Sequence, residues 1–297
     1  MDTLVIVFVA AVAIVAIALL ARSYRDDHLQ VRARKLAEGA GLSLAPEHLE
    51  LLKETAGRLE RGSLFGGLAG LVIAVVLSFI PPGIPLILIV GFVLAGAGVG
   101  MAVGALRSAA SPPSDAVLVA RSRSVSLADY SPGVDRYGTR GLVAVSVAIT
   151  AAVVAAYGFD ALPVTGLTLC TAAVVTLGGF EFFGRRIVDK GRPAGSVIEL
   201  VLDDALRATY VRNLTPAPLV LAAFAIFVAV DAYSVNIGID YSSTFGVAVF
   251  PVVILGSALA RFVTRDRPAS QHYLRRLWPE LAAGGPGSSA VVEEPNH

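Results

Sequence analysis

Charge falls along this chain in blocks. Long runs without Asp, Glu, Lys or Arg alternate with shorter arginine-bearing stretches. A helix rises about 1.5 Å per residue, so about 20 apolar residues cross a bilayer core. Residues 3–21 are free of charge and predict one spanning helix. Residues 62–106 are also free of charge, and these 45 residues are too many for a single crossing. Pro81, Pro82 and Gly83 lie near the middle of that run, where they end a helix and turn the chain. Two spans are therefore expected, at 63–80 and 84–106. Two more follow at 141–159 and 161–180, separated by Asp160. A sixth is predicted at 214–230, with Pro216 and Pro218 tolerated in its first turn. A seventh is predicted at 241–260, kinked at Pro251. The backbone amides of a chain in oil must bond within their own segment, which makes helices the default. A barrel would show alternating ten-residue strands, and the sequence has none. The expected fold class is all-α, a polytopic transmembrane bundle of seven helices.

The cationic residues orient this bundle. Lys and Arg accumulate in cytoplasmic loops. With the N-terminus outside and seven crossings, the cytoplasmic segments are 22–61, 107–140, 181–213 and 261–297. All 24 Lys and Arg residues fall in these four. Asp2, Asp160, Asp231 and Asp240 remain outside. A missed helix would invert every later loop and scatter the arginines, so the sorting bears on the helix count as well. Asp2 precedes the first apolar run while Arg22 and Arg25 follow it. That polarity is the reverse of a signal peptide and predicts a retained anchor. The expected location is the plasma membrane, with the C-terminus cytoplasmic.

Between the spans the pattern changes. Leu29, Ala33, Leu36 and Ala40 share one helical face. Leu49, Leu52, Ala56 and Leu59 share another, with Glu47, Glu50, Glu54 and Arg58 turned outward. Residues 22–61 thus predict an amphipathic helix pair before the second span. Residues 107–140 are rich in Ser and Pro and read as a loop. Ser196 and Glu199 form a capping box for an interfacial helix, whose apolar side holds Val201, Leu202, Leu206 and Tyr210 and whose solvent side holds Asp203, Asp204 and Arg207. Tyr273, Leu277, Trp278 and Leu281 form a last stripe, with Trp278 read as a head-group anchor. The tail from about residue 284 has the composition of a disordered segment.

Composition adds exclusions. Only 16% of residues are charged, against about 25% in ordinary soluble domains. The net charge of +1 gives no basic field for nucleic acid. Cys170 is the single cysteine, so no internal disulfide or multi-cysteine metal site is expected. No lysine lies in a predicted span, and no histidine does either, which leaves no Schiff-base or imidazole chemistry at bilayer depth. Neither a phosphate-binding loop nor a hydrolase or zinc motif is present. No catalytic residue, cofactor or metal is predicted.

Two patterns remain as candidate sites. Gly62, Gly66 and Gly70 recur every fourth residue in the second span, as do Gly96, Gly100 and Gly104 in the third. Such ladders let helix backbones approach closely, within one chain or between copies in a homo-oligomer. Asp231, Asn236 and Asp240 could line a polar mouth on the outer face, the feature that would suit a transporter or channel subunit. The leading expectation is instead a non-enzymatic structural or accessory component of a membrane complex, with the lipid bilayer and other membrane subunits as its partners.

Residues 121–133 (RSRSVSLADYSPG) and 202–208 (LDDALRA) resemble segments of uncharacterised actinobacterial polytopic integral membrane proteins. The resemblance extends over most of the chain through motifs of low specificity. It implies a helical membrane fold and no activity.

Overall fold

The computed structural model describes residues 14, 17, 18, 20–39, 46–77, 86–107, 124–190, 197–238 and 272–280. Every regular element among them is a helix. In chain order these are α1 (Asp26–Gly39), α2 (Pro46–Leu77), α3 (Leu86–Arg107), α4 (Leu127–Tyr130), α5 (Gly133–Tyr157), a 3-10 turn (Phe159–Ala161), α6 (Val164–Asp189), α7 (Val197–Leu214), α8 (Pro216–Asn236) and α9 (His272–Leu277). The expected seventh span at 241–260, most of the first, Ser196 and Asp240 lie outside the described residues.

Four stretches are long and apolar enough to cross a membrane: Leu52–Val76, Gly133–Tyr157, Val164–Asp189 and Glu199–Asn236. A shorter apolar stretch, Gly91–Ala105, lies within α3. The chain is therefore a helical membrane protein, all-helical among the described residues. Its helices present large apolar side chains outward, among them Val72, Ile73, Val76, Val145, Val174, Val175 and Phe182. In water such surface would be a liability, whereas among acyl chains it is solvated.

Element boundaries differ from the sequence expectations in two places. The second amphipathic helix of residues 22–61 and the second span are a single 32-residue helix, α2. Such a helix is about 48 Å long. Nothing at the junction, Glu60-Arg61-Gly62-Ser63, breaks the ladder, because a lone glycine is tolerated inside a helix. Residues 127–130 and 133–140, expected in a loop, are helical. The Ser/Pro cluster ends earlier than the charged stretch does, and Pro132 precedes α5 without interrupting it.

Helices α2 and α3 form an antiparallel hairpin with near-contact of their backbones. A Cβ added at Gly62 would lie 2.6 Å from the Gly100 carbonyl oxygen. Added at Gly66 or Gly96 it would overlap the other glycine's carbonyl, at Gly100 that of Gly62, and at Gly70 that of Phe92. At Gly104 the nearest atom would be the Arg58 carbonyl oxygen at 3.3 Å. Only residues without a side chain allow this approach.

Helices α5, α6 and α8 pack beside the hairpin. Leu71, Ala74, Ile89, Leu169, Ala173, Leu221 and Ala225 fill the middle layer. Val153, Leu162, Ala229 and Ala232 close the end near the 3-10 turn. A larger apolar cluster occupies the opposite end, where the arginines lie; Phe180, Val188, Val201, Leu206 and Val211 belong to it. Helix α1 rests on α2 at this same end, burying Leu29 and Ala33 against Leu52, Ala56 and Leu59. His28 Nε2 meets Glu60 Oε1 at 3.2 Å and Lys53 pairs with Asp26 at 3.2 Å, fixing its register. Helices α7 and α8 are joined through Thr215, whose helical φ of −67° and ψ of −36° carry the chain onward. Pro216 and Pro218 lack amide donors, so hydrogen bonding is interrupted there while the direction is kept.

Candidate functional site

The arginine-bearing end of the bundle holds a buried polar cluster centred on α7. Solvent exposure had been expected for Asp203, Asp204 and Arg207. Instead Asp204 is 0% exposed and Arg207 5%. Helix α7 does not lie on a surface with one wet face. The end of α6, the short α4 and α9 cover it on several sides, which turns its polar side inward.

Asp204 and Arg207 are each committed to joining elements. Asp204 Oδ1 accepts the Tyr130 hydroxyl of α4 at 2.7 Å, and Oδ2 accepts Trp278 Nε1 at 2.9 Å. One carboxylate thus ties together three segments far apart in sequence. Arg207 pairs with Asp203 at 2.5 Å. Its two terminal nitrogens donate to the Val188 and Lys190 carbonyls at 3.0 and 3.3 Å. Those carbonyls end α6, where the helix leaves its acceptors unsatisfied and its dipole favours a cation. Arg207 therefore caps one helix from the flank of another.

Helix α4 is held by a second carboxylate. Asp129, 2% exposed, accepts the Ser126 amide and hydroxyl, both at 2.9 Å. Its other oxygen lies 3.5 Å from the Arg276 guanidinium. His272 Nε2 donates to the Ala128 carbonyl at 3.1 Å. Tyr273 is buried and its hydroxyl has no hydrogen-bond partner among the described residues. Burial, and secondarily the Asp204 charge, push its phenol well above the ordinary tyrosine range. Trp278, expected as a head-group anchor, turns into the protein and donates to Asp204 instead.

Nearby, Glu181 faces Arg185 one helical turn on. Its closer partner is Arg140 of α5, with Nε at 2.8 Å and Nη2 at 2.5 Å, while Arg185 stands at 3.8 Å. The pair joins α5 to α6 across the rim of the bundle. Its groups are part-exposed, so it contributes less than the buried cluster.

At the opposite end, Asp231 is half-buried on α8. The Asn236 side-chain amide donates to the Ala232 carbonyl at 2.7 Å and reaches the Ala161 carbonyl at 3.5 Å. It holds the end of α8 to the 3-10 turn. Asp240, the third residue of the expected outer polar mouth, lies outside the described residues. Among the described residues no group of three His, Cys, Asp or Glu side chains is placed to hold a metal ion.

Sequence reading missed the α7 cluster because it assigned that helix to a surface. Two signals pointed to it. Ser126 and Asp129 have capping-box spacing, and Asp203 and Arg207 stand four apart in a helix whose remaining residues are apolar on more than one side. Comparison with known proteins found no matching protein family, curated protein or solved structure.

Proposed function

We propose that this chain is a non-enzymatic, multi-pass component of the plasma membrane that serves as a structural or accessory subunit of a membrane complex. It has seven spans, an external N-terminus and a cytoplasmic C-terminus. The observation that carries this reading is the use made of polar groups. Asp204, Arg207, Asp129 and Trp278 join helices α4, α6, α7 and α9 to one another, which is the chemistry of a docking clamp. The glycine-lined contact of α2 with α3 supports the same reading, since it builds a rigid hairpin. The sorting of all 24 basic residues to one side supports the orientation.

The test is gentle solubilisation from native membranes followed by size analysis and mass spectrometry of what co-purifies. A stable partner or homo-oligomer is expected. Recovery solely as a bare monomer, together with solute flux in proteoliposomes that Asp231→Ala abolishes, would replace this reading with a transport function.

A further inference from the structure

The first arginines of the chain sit differently from those of the α7 cluster. Arg207 and Arg140 are each committed to protein acceptors. Arg22 and Arg25 are exposed, and among the described residues neither guanidinium has a hydrogen-bond or ion-pair partner. Both line one cavity of about 340 Å³, together with Asp27, His28 and Val31.

The walls of this cavity are fixed. The Arg25 amide donates to the Arg22 carbonyl at 3.0 Å, so a tight turn holds the two arginines near each other. Ser23 between them is fully buried and donates to the Leu20 carbonyl at 2.7 Å. His28 is anchored to Glu60 on α2, and Arg61 of α2 lies over the Tyr24 ring at 5.0 Å. The turn is thereby clamped to the long helix that continues into the apolar layer.

Position and charge identify the ligand chemistry. Arg22 is the first charged residue after the apolar run 3–21, which places it at head-group depth if that run spans the bilayer. Ile14 and Ile17, just before it, are exposed and suit contact with acyl chains. Two guanidiniums against the Asp27 carboxylate leave one positive charge facing the cavity, apart from His28, whose Nε2 is committed to Glu60. Guanidinium matches phosphate oxygens in fork geometry. A single net positive charge suits a phosphodiester monoanion better than a phosphomonoester dianion.

We propose that Arg22 and Arg25 form a binding site for the phosphodiester of an anionic phospholipid in the cytoplasmic leaflet. This rests on the membrane reading above, but not on the accessory role. Each arginine contributes about fivefold to retention of an anionic lipid.

The test uses the purified full-length protein in mild detergent and native mass spectrometry. Phosphatidylglycerol and phosphatidylcholine are offered at equal concentration, and inorganic phosphate is assayed separately by its effect on thermal stability. Wild type should retain phosphatidylglycerol well above phosphatidylcholine. Arg22→Gln with Arg25→Gln should lower that preference by about 25-fold, toward parity. Arg185→Gln, at a different rim position, should leave it unchanged, and Asp27→Asn should raise it. Stabilisation by inorganic phosphate that disappears in the double variant would assign the same site to free phosphate and overturn the lipid assignment. Equal retention of both lipids, or a preference that survives the double substitution, would overturn the site. Co-purifying partners are read in a different experiment, so failure here leaves the accessory role standing.

Discussion

Replacing Asp204 by alanine removes the one acceptor shared by α4, α7 and α9. Tyr130 is 2% exposed and its hydroxyl would lose a charge-assisted hydrogen bond with no water to replace it. Such a loss costs about 1.5–3 kcal/mol. Trp278 is half-buried, so its indole N–H regains part of its hydration and the loss there is about 0.5–1 kcal/mol. Removing a buried carboxylate also relieves its desolvation, which offsets part of the sum. The net effect is about 1–3 kcal/mol against docking of α9, or roughly fivefold to 150-fold in its equilibrium. Trp278, next after α9, is the single tryptophan, so selectively excited tryptophan fluorescence reports on this segment alone. In Asp204→Ala its emission should shift to the red and become more accessible to an aqueous quencher. Tyr130→Phe should matter in the wild-type background and have little effect once Asp204 is gone, because both substitutions remove the same bond. Emission and quenching unchanged by Asp204→Ala, or fully additive effects of the two substitutions, would refute the clamp.

Three further outcomes are expected. Gly100→Leu drives a side chain into the Gly62 carbonyl; the α2–α3 hairpin must separate, with a loss of about 1–3 kcal/mol or more, read as reduced yield of folded protein and a lower melting temperature in detergent. Tyr273→Phe deletes a buried hydroxyl that has no partner, so stability at neutral pH should hold or rise, as measured by thermal melting. Its folded-state pKa is raised, so the stability linked to its proton is full below the ordinary tyrosine pKa of about 10 and falls as pH climbs above it; wild type should lose stability there and Tyr273→Phe should lose less. Arg140→Ala breaks a part-exposed pair with Glu181, and the expected loss is at most about 1 kcal/mol, so a drop in melting temperature as large as that of Gly100→Leu would show the rim pair to be undervalued.

Charge-free length was legible because oil admits no unpaired charge, and it locates the apolar stretches of α2, α3, α5, α6 and α8. Boundaries were harder. Gly62 looked like the start of a span, yet α2 runs through it from Pro46, since helix continuity depends on hydrogen bonding and not on which solvent surrounds each half. The glycine spacing was visible in sequence, but not which backbone each glycine abuts; that depends on the antiparallel register of α2 and α3. Asp204 and Arg207 were misread as a solvent face because periodicity reports which residues share a side and says nothing of how many neighbours arrive. Those neighbours, Tyr130 and Trp278, are each 74 residues away in sequence. Arg207 likewise gave no hint that it would cap α6, as its acceptors are backbone carbonyls of residues 188 and 190.

The central claim is that the charge-free helices cross the bilayer with every arginine-bearing end in the cytoplasm. Cys170 is buried and is the only cysteine, so a Cys170→Ala background permits single-site labelling. Asp160→Cys, in the exposed turn between α5 and α6, and Ser124→Cys, exposed just before α4, are treated in intact cells with a membrane-impermeant maleimide. The account predicts labelling at position 160 in intact cells and at position 124 only after permeabilisation. Labelling of position 124 in intact cells with protection of position 160 would invert the orientation, and equal labelling of both would remove the intervening span.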